Sequence, residues 1–160
     1  MPKAYVVTRN GGPEVEALIE QDVPVPGELL VAVRAAGVNP GDRRLRAGYS
    51  RPGSEPQPFP TVLGSEVAGV VEGIGPDVEG FAAGDEVFGN PVTGGYAELG
   101  GAAVERARTA AVLEEVANLV VTGALRTHVN RSFPLTGTGD ALRAVESGHT
   151  LGRIVIEVAA

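Results

Sequence analysis

The sequence contains no cysteine and no tryptophan, and only two histidines, His128 and His149. Without cysteine the chain has no disulfide, no thiolate metal ligand and no cysteine nucleophile. Each histidine stands isolated along the sequence, so we interpret both as surface or strand-end residues. The sequence therefore predicts no metal site.

Positive charge is also scarce, since Lys3 is the only lysine and the formal net charge is −7. Nucleic-acid binders usually carry a basic face, so we expect no nucleic-acid partner. No apolar run approaches the roughly 18 residues that span a membrane. The first residues, Met1–Tyr5, lack a charged leader followed by an apolar run. These features predict a cytoplasmic protein with no membrane partner.

What is abundant is glycine and proline, with 23 and 12 residues in a chain of 160. This length fits one domain, and this composition favours many short strands joined by tight turns. Glycines inside the 62–74 run are typical of bends in barrel strands. Residues 1–99 therefore predict a bent, barrel-like antiparallel β domain. The predicted strands are 4–9, 15–20, 28–36, 62–74, 85–88 and 95–99.

The pattern changes after residue 100. Apolar residues recur at helical spacing over 109–122, and Gly123 is suited to cap that helix. A second, shorter helix is predicted over 140–147 with Asp140 as its N-cap. A closing strand is predicted over 153–158. The tail therefore adds helices and one strand to the barrel.

Several strings resemble the quinone-oxidoreductase branch of the medium-chain dehydrogenase/reductase superfamily, in the order that family shows. In the barrel they are VRAAGVNPGD (33–42), VLGSEVAGVVE (62–72), VEGFAAGDEVFG (78–89) and GGYAE (94–98). In the tail they are residues 113–125, Phe133–Leu135 and ALRAVESGHTLGRIVIE (141–157). The resemblance implies a mainly β fold with a few helices (α+β), namely a GroES-like bent β-barrel with C-terminal helices packed on it.

The resemblance also implies a domain organisation. In the family, a Rossmann nucleotide-binding domain follows the string that GGYAE matches, whereas here the tail helix comes almost directly after it. We therefore expect one GroES-like domain over 1–160. Its parts are a barrel at 1–99, a junction at 100–109 where the family's Rossmann domain is missing, and helices with a closing strand at 110–160.

No dinucleotide fingerprint replaces that domain elsewhere in the sequence. Such a fingerprint needs G-x-G-x-x-G between a strand and a helix. Gly73-Ile-Gly75 runs into Pro76, and Gly137-Thr-Gly139 has Leu142 where the third glycine belongs. We interpret both as turns and expect no cofactor. The zinc-binding cysteines of other family branches are also absent, which again predicts no metal.

The stretch 37–60 is irregular, with a helical turn expected at 39–45. It forms most of the region 37–66, where the resemblance places the family's active-site cleft. The resemblance implies four catalytic candidates, namely Asn39, Asp42, Tyr49 and Glu66. It also implies four substrate-binding candidates, namely Arg46, Phe59, Leu63 and Ser65.

Structural interpretations of these residues stay open beside the functional ones. Asn39 is suited to capping a turn through its side chain, and Asp42 to being the N-cap of a short helical turn. Glu66 is either a buried general acid or base with a raised pKa or a structural hydrogen-bonding group. A local arginine cluster is either a solvated face or an anchor for an anionic head group. The cluster consists of Arg43, Arg44, Arg46 and Arg51.

Three functions fit a chain without a nucleotide domain. The first is a cofactor-independent, non-redox enzyme that shapes an apolar, polyketide-like small molecule for cyclisation, isomerisation or elimination. The second is a non-catalytic small-molecule-binding or partner module, or an engineered domain deletion of a quinone-oxidoreductase-like NADPH-dependent enzyme. The third is residual redox activity with a nucleotide domain supplied in trans. An apolar cleft with converging polar groups favours the first, and a filled cleft the second. Because a missing domain exposes apolar surface, we also expect a homodimer.

Overall fold

The computed structural model describes residues 1–23, 29–50, 53, 58–76, 78–91, 94–102, 110–148 and 150–158. The strands are β1 (Lys3–Val7), β2 (Glu16–Glu20), β3 (Leu29–Val38), β4 (Thr61–Val62), β5 (Val67–Ile74), β6 (Glu86–Gly89), β7 (Leu99–Ala102), β8 (Val129–Pro134) and β9 (Arg153–Glu157). The α-helices are α1 (Pro40–Arg46), α2 (Ala110–Val121) and α3 (Thr138–Glu146). The mainly β fold with a few helices is confirmed, while most of the predicted 100–109 junction lies outside the described residues.

In the described residues, the strands form two sheets that an isolated bridge links. A three-stranded sheet has the order β2-β1-β4, and a six-stranded sheet has the order β6-β5-β3-β9-β8 with β7 also on β3. One edge of β3 pairs with β5, and the other edge pairs first with β7 and then with β9. The bridge joins Ala4 to Ala97. Strand β3 is therefore the centre of the barrel-like body.

The run predicted as one strand over 62–74 is two strands in different sheets. Strand β4 pairs with β1, whereas β5 pairs with β3 and β6. Gly64 lies between them at a φ of +95°, a conformation that side-chain-bearing residues rarely adopt. The chain therefore changes sheets at Gly64.

The tail contains one strand that the sequence did not predict. Strand β8 pairs with β9 in parallel, whereas the other strand pairs are antiparallel. Its residues are mostly exposed and do not alternate apolar with polar. The period-two signal of a half-buried strand is therefore weak there.

The two tail helices differ in how they pack. Helix α3 buries Ala141 and Leu142 against the barrel, in agreement with the prediction. Its predicted N-cap is wrong, because the helix starts at Thr138 and Asp140 lies in its first turn. Helix α2 ends at Val121, and Gly123 follows it at a φ of +75°, as expected for its C-terminal cap. In the described part of the chain, no other helix or strand packs extensively on α2, and most of its described side chains are exposed.

The main core lies between the two sheets and α3. Its most deeply buried large side chains include Tyr96, Leu142 and Ile156, at 0%, 1% and 0% exposure. Burying an apolar side chain of this size stabilises the fold by about 1.5–3 kcal/mol. In the described residues, no helix is long and apolar enough to cross a membrane.

Candidate functional site

The candidate site begins where β3 gives way to α1. Pro40 occupies the first turn, where its missing N–H costs nothing. The Asp42 carboxylate accepts a hydrogen bond from the Asn39 N–H at 2.8 Å, and the Asp42 N–H donates to the Asn39 carbonyl at 3.0 Å. Asp42 is thus the third helical residue, and its interpretation as N-cap is wrong. Asn39 holds the N-cap position and forms a capping box with Asp42, which agrees with the interpretation of Asn39 as a capping residue.

Asp42 is buried against Tyr96. The Tyr96 hydroxyl donates to Asp42 Oδ2 at 2.6 Å, and the two residues are 0% and 1% exposed. Burial raises the pKa of the Asp42 carboxyl above its usual range, although hydrogen bonds from Tyr96 and the Asn39 N–H oppose that shift. Burial and the Asp42 charge also raise the pKa of Tyr96. The pair ties α1 to the 94–98 segment and faces away from solvent.

Outside this pair lies an exposed polar group of four residues, here named the Arg153 cluster: Asn39, Ser65, Glu66 and Arg153. Arg153 Nη1 donates to Asn39 Oδ1 at 3.0 Å, and its Nη2 donates to Glu66 Oε2. Asn39 Nδ2 donates to Ser65 Oγ at 3.4 Å. The Arg153 and Glu66 side chains are 48% and 44% exposed. A guanidinium, a carboxylate and an amide therefore meet at the surface.

Strand pairing explains how this cluster forms. Antiparallel pairing sets Ile154 of β9 opposite Val38 of β3, so Arg153 comes beside Asn39. The Gly37 N–H donates to the Glu66 carbonyl at 3.0 Å. A Cβ on Gly37 would lie 2.5 Å from Glu66 Oε2, so a glycine is needed for the carboxylate to lie there.

The cluster brings together three of the predicted residues and adds one. Asn39, Ser65 and Glu66 were predicted, but the expectation of a buried Glu66 is wrong. Arg153 was missed, although it lies in the tail string that carries the family resemblance. Nothing in the sequence gives the β3–β9 register, and that register alone brings residue 153 to residue 39.

Arg46 is not a surface residue. Its guanidinium is buried, with Nη1 on Glu16 Oε1 and Nη2 on Glu146 Oε1 at 2.7 Å. Both the solvated-face and the anion-anchor interpretations are therefore wrong for Arg46, because it is already paired inside the fold. Arg43 and Arg44 are exposed, and Arg51 lies outside the described residues.

The remaining predicted site residues lie apart from the cluster. Leu63 is 3% exposed and belongs to the core. Tyr49 and Phe59 are 56% and 43% exposed. The described contacts do not join either aromatic side chain to the Arg153 cluster.

Among the described residues, neither glycine turn nor His128 shows the geometry of a cofactor or metal site. A Cβ on Gly139 would lie 2.6 Å from the Tyr5 hydroxyl, so protein side chains fill the space at the start of α3. Gly75 is followed by Pro76 in a turn. In the part of the chain that the structure describes, no three metal-ligating side chains come together. His128 is exposed, and His149 lies outside that part.

Comparison with known proteins gives a family match. The family model for the alcohol dehydrogenase GroES-like domain matches residues 25–131. Quinone oxidoreductase of Rattus norvegicus is 43% identical over 103 residues, which cover 61% of this chain and 30% of that protein. The 2-methylene-furan-3-one reductase of Solanum lycopersicum is 39% identical over 92 residues, covering 55% of this chain and 23% of that protein. The matched part of the chain thus spans less than a third of these relatives.

Solved structures share the fold. The quinone oxidoreductase of Coxiella burnetii aligns with a TM-score of 0.81 at 15% identity, covering 99% of each chain. That of Pseudomonas syringae pv. Tomato aligns at 0.55 with 26% identity, covering 89% of this chain and 48% of that one. Together with the bent barrel, these matches confirm the predicted resemblance. The chain belongs to the alcohol dehydrogenase GroES-like domain family, and the relatives it matches include quinone oxidoreductases.

Proposed function

We propose that this chain binds unsaturated carbonyl compounds at the Arg153 cluster and isomerises β,γ-unsaturated ketones to conjugated ketones with its own side chains, without hydride transfer. The observation that carries the proposal is the meeting of a half-exposed guanidinium and a half-exposed carboxylate at one point. The names of the matched relatives support the substrate class. They mention a quinone, a methylene-furanone and an alkenal or alkenone, all of which are unsaturated carbonyl compounds.

Binding rests on hydrogen-bond donors at the cluster. A guanidinium has more N–H donors than the bonds from Arg153 to Asn39 and Glu66 use. A substrate carbonyl oxygen would accept from Arg153, with the Asn39 amide as a second donor if it leaves Ser65. Charge that develops on that oxygen during reaction would be stabilised there, as in an oxyanion hole.

The proton transfers rest on Glu66. In a β,γ-unsaturated ketone, the Glu66 carboxylate takes the proton from the α-carbon, and the C–H electrons form a dienolate on the oxygen held by Arg153. The Glu66 carboxyl then returns the proton to the γ-carbon, which gives the conjugated ketone and restores the carboxylate. One base serves both steps. We therefore favour isomerisation over cyclisation or elimination. The apolar part of the substrate would lie against exposed aromatic side chains, for which Tyr49 and Phe59 remain candidates.

The test is conversion of 3-cyclohexenone to 2-cyclohexenone, followed by the ultraviolet absorbance of the conjugated product. We expect catalysis above the buffer rate with no nicotinamide added. Glu66→Gln should lower kcat by about 100-fold or more, because general base catalysis typically contributes that much. Arg153→Ala should lower kcat/KM, and Arg153→Lys should recover part of it.

Matched controls lie on exposed positions of the same sheet. Glu72→Gln on β5 and Arg34→Ala on β3 remove the same charges and should leave the rate unchanged. Equal rates for Glu66→Gln and Glu72→Gln would contradict the proposed base. A rate that appears only with NADPH would replace isomerisation with reduction.

A second candidate is a non-catalytic module that binds the same compounds. The observation that favours it is the ion pair between Arg153 and Glu66, which occupies the proposed base when no ligand is bound. Under this alternative, 2-cyclohexenone perturbs the amide resonances around Asn39 and Arg153, while no variant changes a turnover rate.

A further inference from the structure

Helix α2 presents an apolar surface that the rest of the described chain does not cover. Val116, Leu119 and Val120 are 39%, 43% and 46% exposed. Successive helical residues are about 100° apart, so these three positions share one face. Val121 is 85% exposed but lies on the opposite face. The end of the helix extends the apolar face, because the Leu125 N–H folds back to the Leu119 carbonyl at 2.9 Å and Leu125 is 40% exposed.

The charges around this face are arranged with opposite signs at its two ends. Glu115 lies in the first half of α2 on the flank of this face, whereas Glu114 lies on the side of Val121; Arg126 follows the C-terminal end of the helix. A shallow concavity beside the face is lined by Glu114, Glu115, Asn118, Leu119 and Thr122. That concavity is acidic and apolar together, so it suits an arginine carried next to an apolar side chain. Arg126 next to Leu125 is such a pair.

We propose that α2 is the interface through which two copies of this chain associate, with the two helices antiparallel. In that arrangement Leu119 and Val120 of the two copies meet near the twofold axis. Arg126 of each copy reaches the acidic concavity of the other, and a twofold axis makes this contact twice. The antiparallel alignment of the two helix dipoles also favours association.

The size of the apolar α2 face limits the expected affinity of the dimer. A helix of 12 residues is about 18 Å long, so the pair buries less than the roughly 1,200–2,000 Å² of a standard interface. The dimer should therefore be weak and depend on concentration. Sedimentation equilibrium across a wide concentration range is the appropriate measurement.

Two substitutions with similar chemistry distinguish association through this face from non-specific hydrophobic association of α2. Leu119→Glu places a charge at the axis and should raise the dimer Kd by at least about tenfold. Val121→Glu places the same charge on the opposite face and should leave the Kd unchanged. Circular dichroism checks that both variants keep their secondary structure. Equal loss of dimer in both would overturn the proposed face.

Exchanging the charges of Glu115 and Arg126 tests whether Arg126 of one copy contacts the acidic concavity of the other. Glu115→Arg and Arg126→Glu should each raise the Kd by about two- to fivefold, because exposed ion pairs are weak and each occurs twice. The double variant should restore the parental Kd, since the pair is then only reversed. Additive loss in the double variant would overturn the antiparallel arrangement. A parental chain that stays monomeric at every concentration would overturn the dimer itself.

Discussion

Arg46 and Arg153 each join an acidic side chain to a second acceptor, but one pair of bonds is buried and the other lies at the surface. Arg46 contacts Glu16 and Glu146 with its side chain 5% exposed, whereas Arg153 contacts Glu66 and Asn39 with its side chain 48% exposed. Burial removes water from Arg46 and Glu16, so each of these two charges depends on its partner, whereas Glu146 is partly exposed. The second group keeps its water and loses little if a partner leaves.

The difference separates a structural role from the proposed binding role for the same residue type. Arg46 joins α1, β2 and α3, and its Nε has no hydrogen-bond partner among the described residues. Such a group is costly to disturb and cannot be reached by a ligand. Arg153 can exchange a protein acceptor for a ligand oxygen at small cost. The following substitutions test this contrast.

The largest effect should come from Arg46→Met. This change leaves the buried Glu16 carboxylate without its cation, so we expect a loss of about 3–5 kcal/mol in the free energy of unfolding. Urea denaturation followed by circular dichroism measures it. Arg44→Met, at an exposed position of the same helix, is the control. A loss below about 1 kcal/mol would mean that the buried network is not essential.

Tyr96→Phe should have the next largest effect. It removes the hydroxyl that donates to the buried Asp42 carboxylate, so we expect a loss of about 1–3 kcal/mol in unfolding free energy. Tyr49→Phe removes the same hydroxyl from an exposed residue and should change stability little. Equal losses for the two variants would argue against the buried hydrogen bond.

Asp42 should make a smaller, pH-dependent contribution to the free energy of unfolding. Its pKa is raised by burial, so the folded chain holds this proton more tightly than the unfolded chain does. The stabilisation is therefore fully present below the usual aspartate pKa of about 3.9 and is lost as the pH rises through the raised value. Unfolding free energies measured from pH 4 upward should decline more steeply in the parental chain than in Asp42→Asn. Parallel slopes would contradict a raised pKa in the folded chain.

The smallest effect on stability should come from Arg153→Ala. Because the ion pair with Glu66 is exposed, we expect a loss below about 1 kcal/mol. Ligand binding should nevertheless fall, which is the reverse of the Arg46 pattern. Thermal denaturation with and without 2-cyclohexenone measures both effects on one sample. A large stability loss without ligand would place Arg153 with the structural arginines.

The sequence predicted the fold well where local patterns decide it. Turn glycines such as Gly123 and Gly148 mark helix ends in both the prediction and the structure. It failed where contacts distant in sequence decide. Arg46 has the sequence neighbourhood of a solvated arginine, but its guanidinium is buried between Glu16, 30 residues away, and Glu146, 100 residues away.

The candidate site divides in the same way. Asn39 and Glu66 could be nominated from the resemblance, and local rules predicted helical structure after Asn39. The exposure of Glu66 and the position of Arg153 beside Asn39 depend on how β3, β5 and β9 align. No periodicity within a single segment carries that alignment.

Strand β9 lies between β3 and β8, although β3 and β9 are far apart along the chain. Strand pairs that are far apart in sequence form late in folding, because the intervening chain must first lose conformational entropy as the loop closes. The strand that completes the six-stranded sheet also carries Arg153. Ligand affinity and barrel closure should therefore appear in the same kinetic phase of refolding, so that an incompletely folded chain does not bind ligand at this cluster.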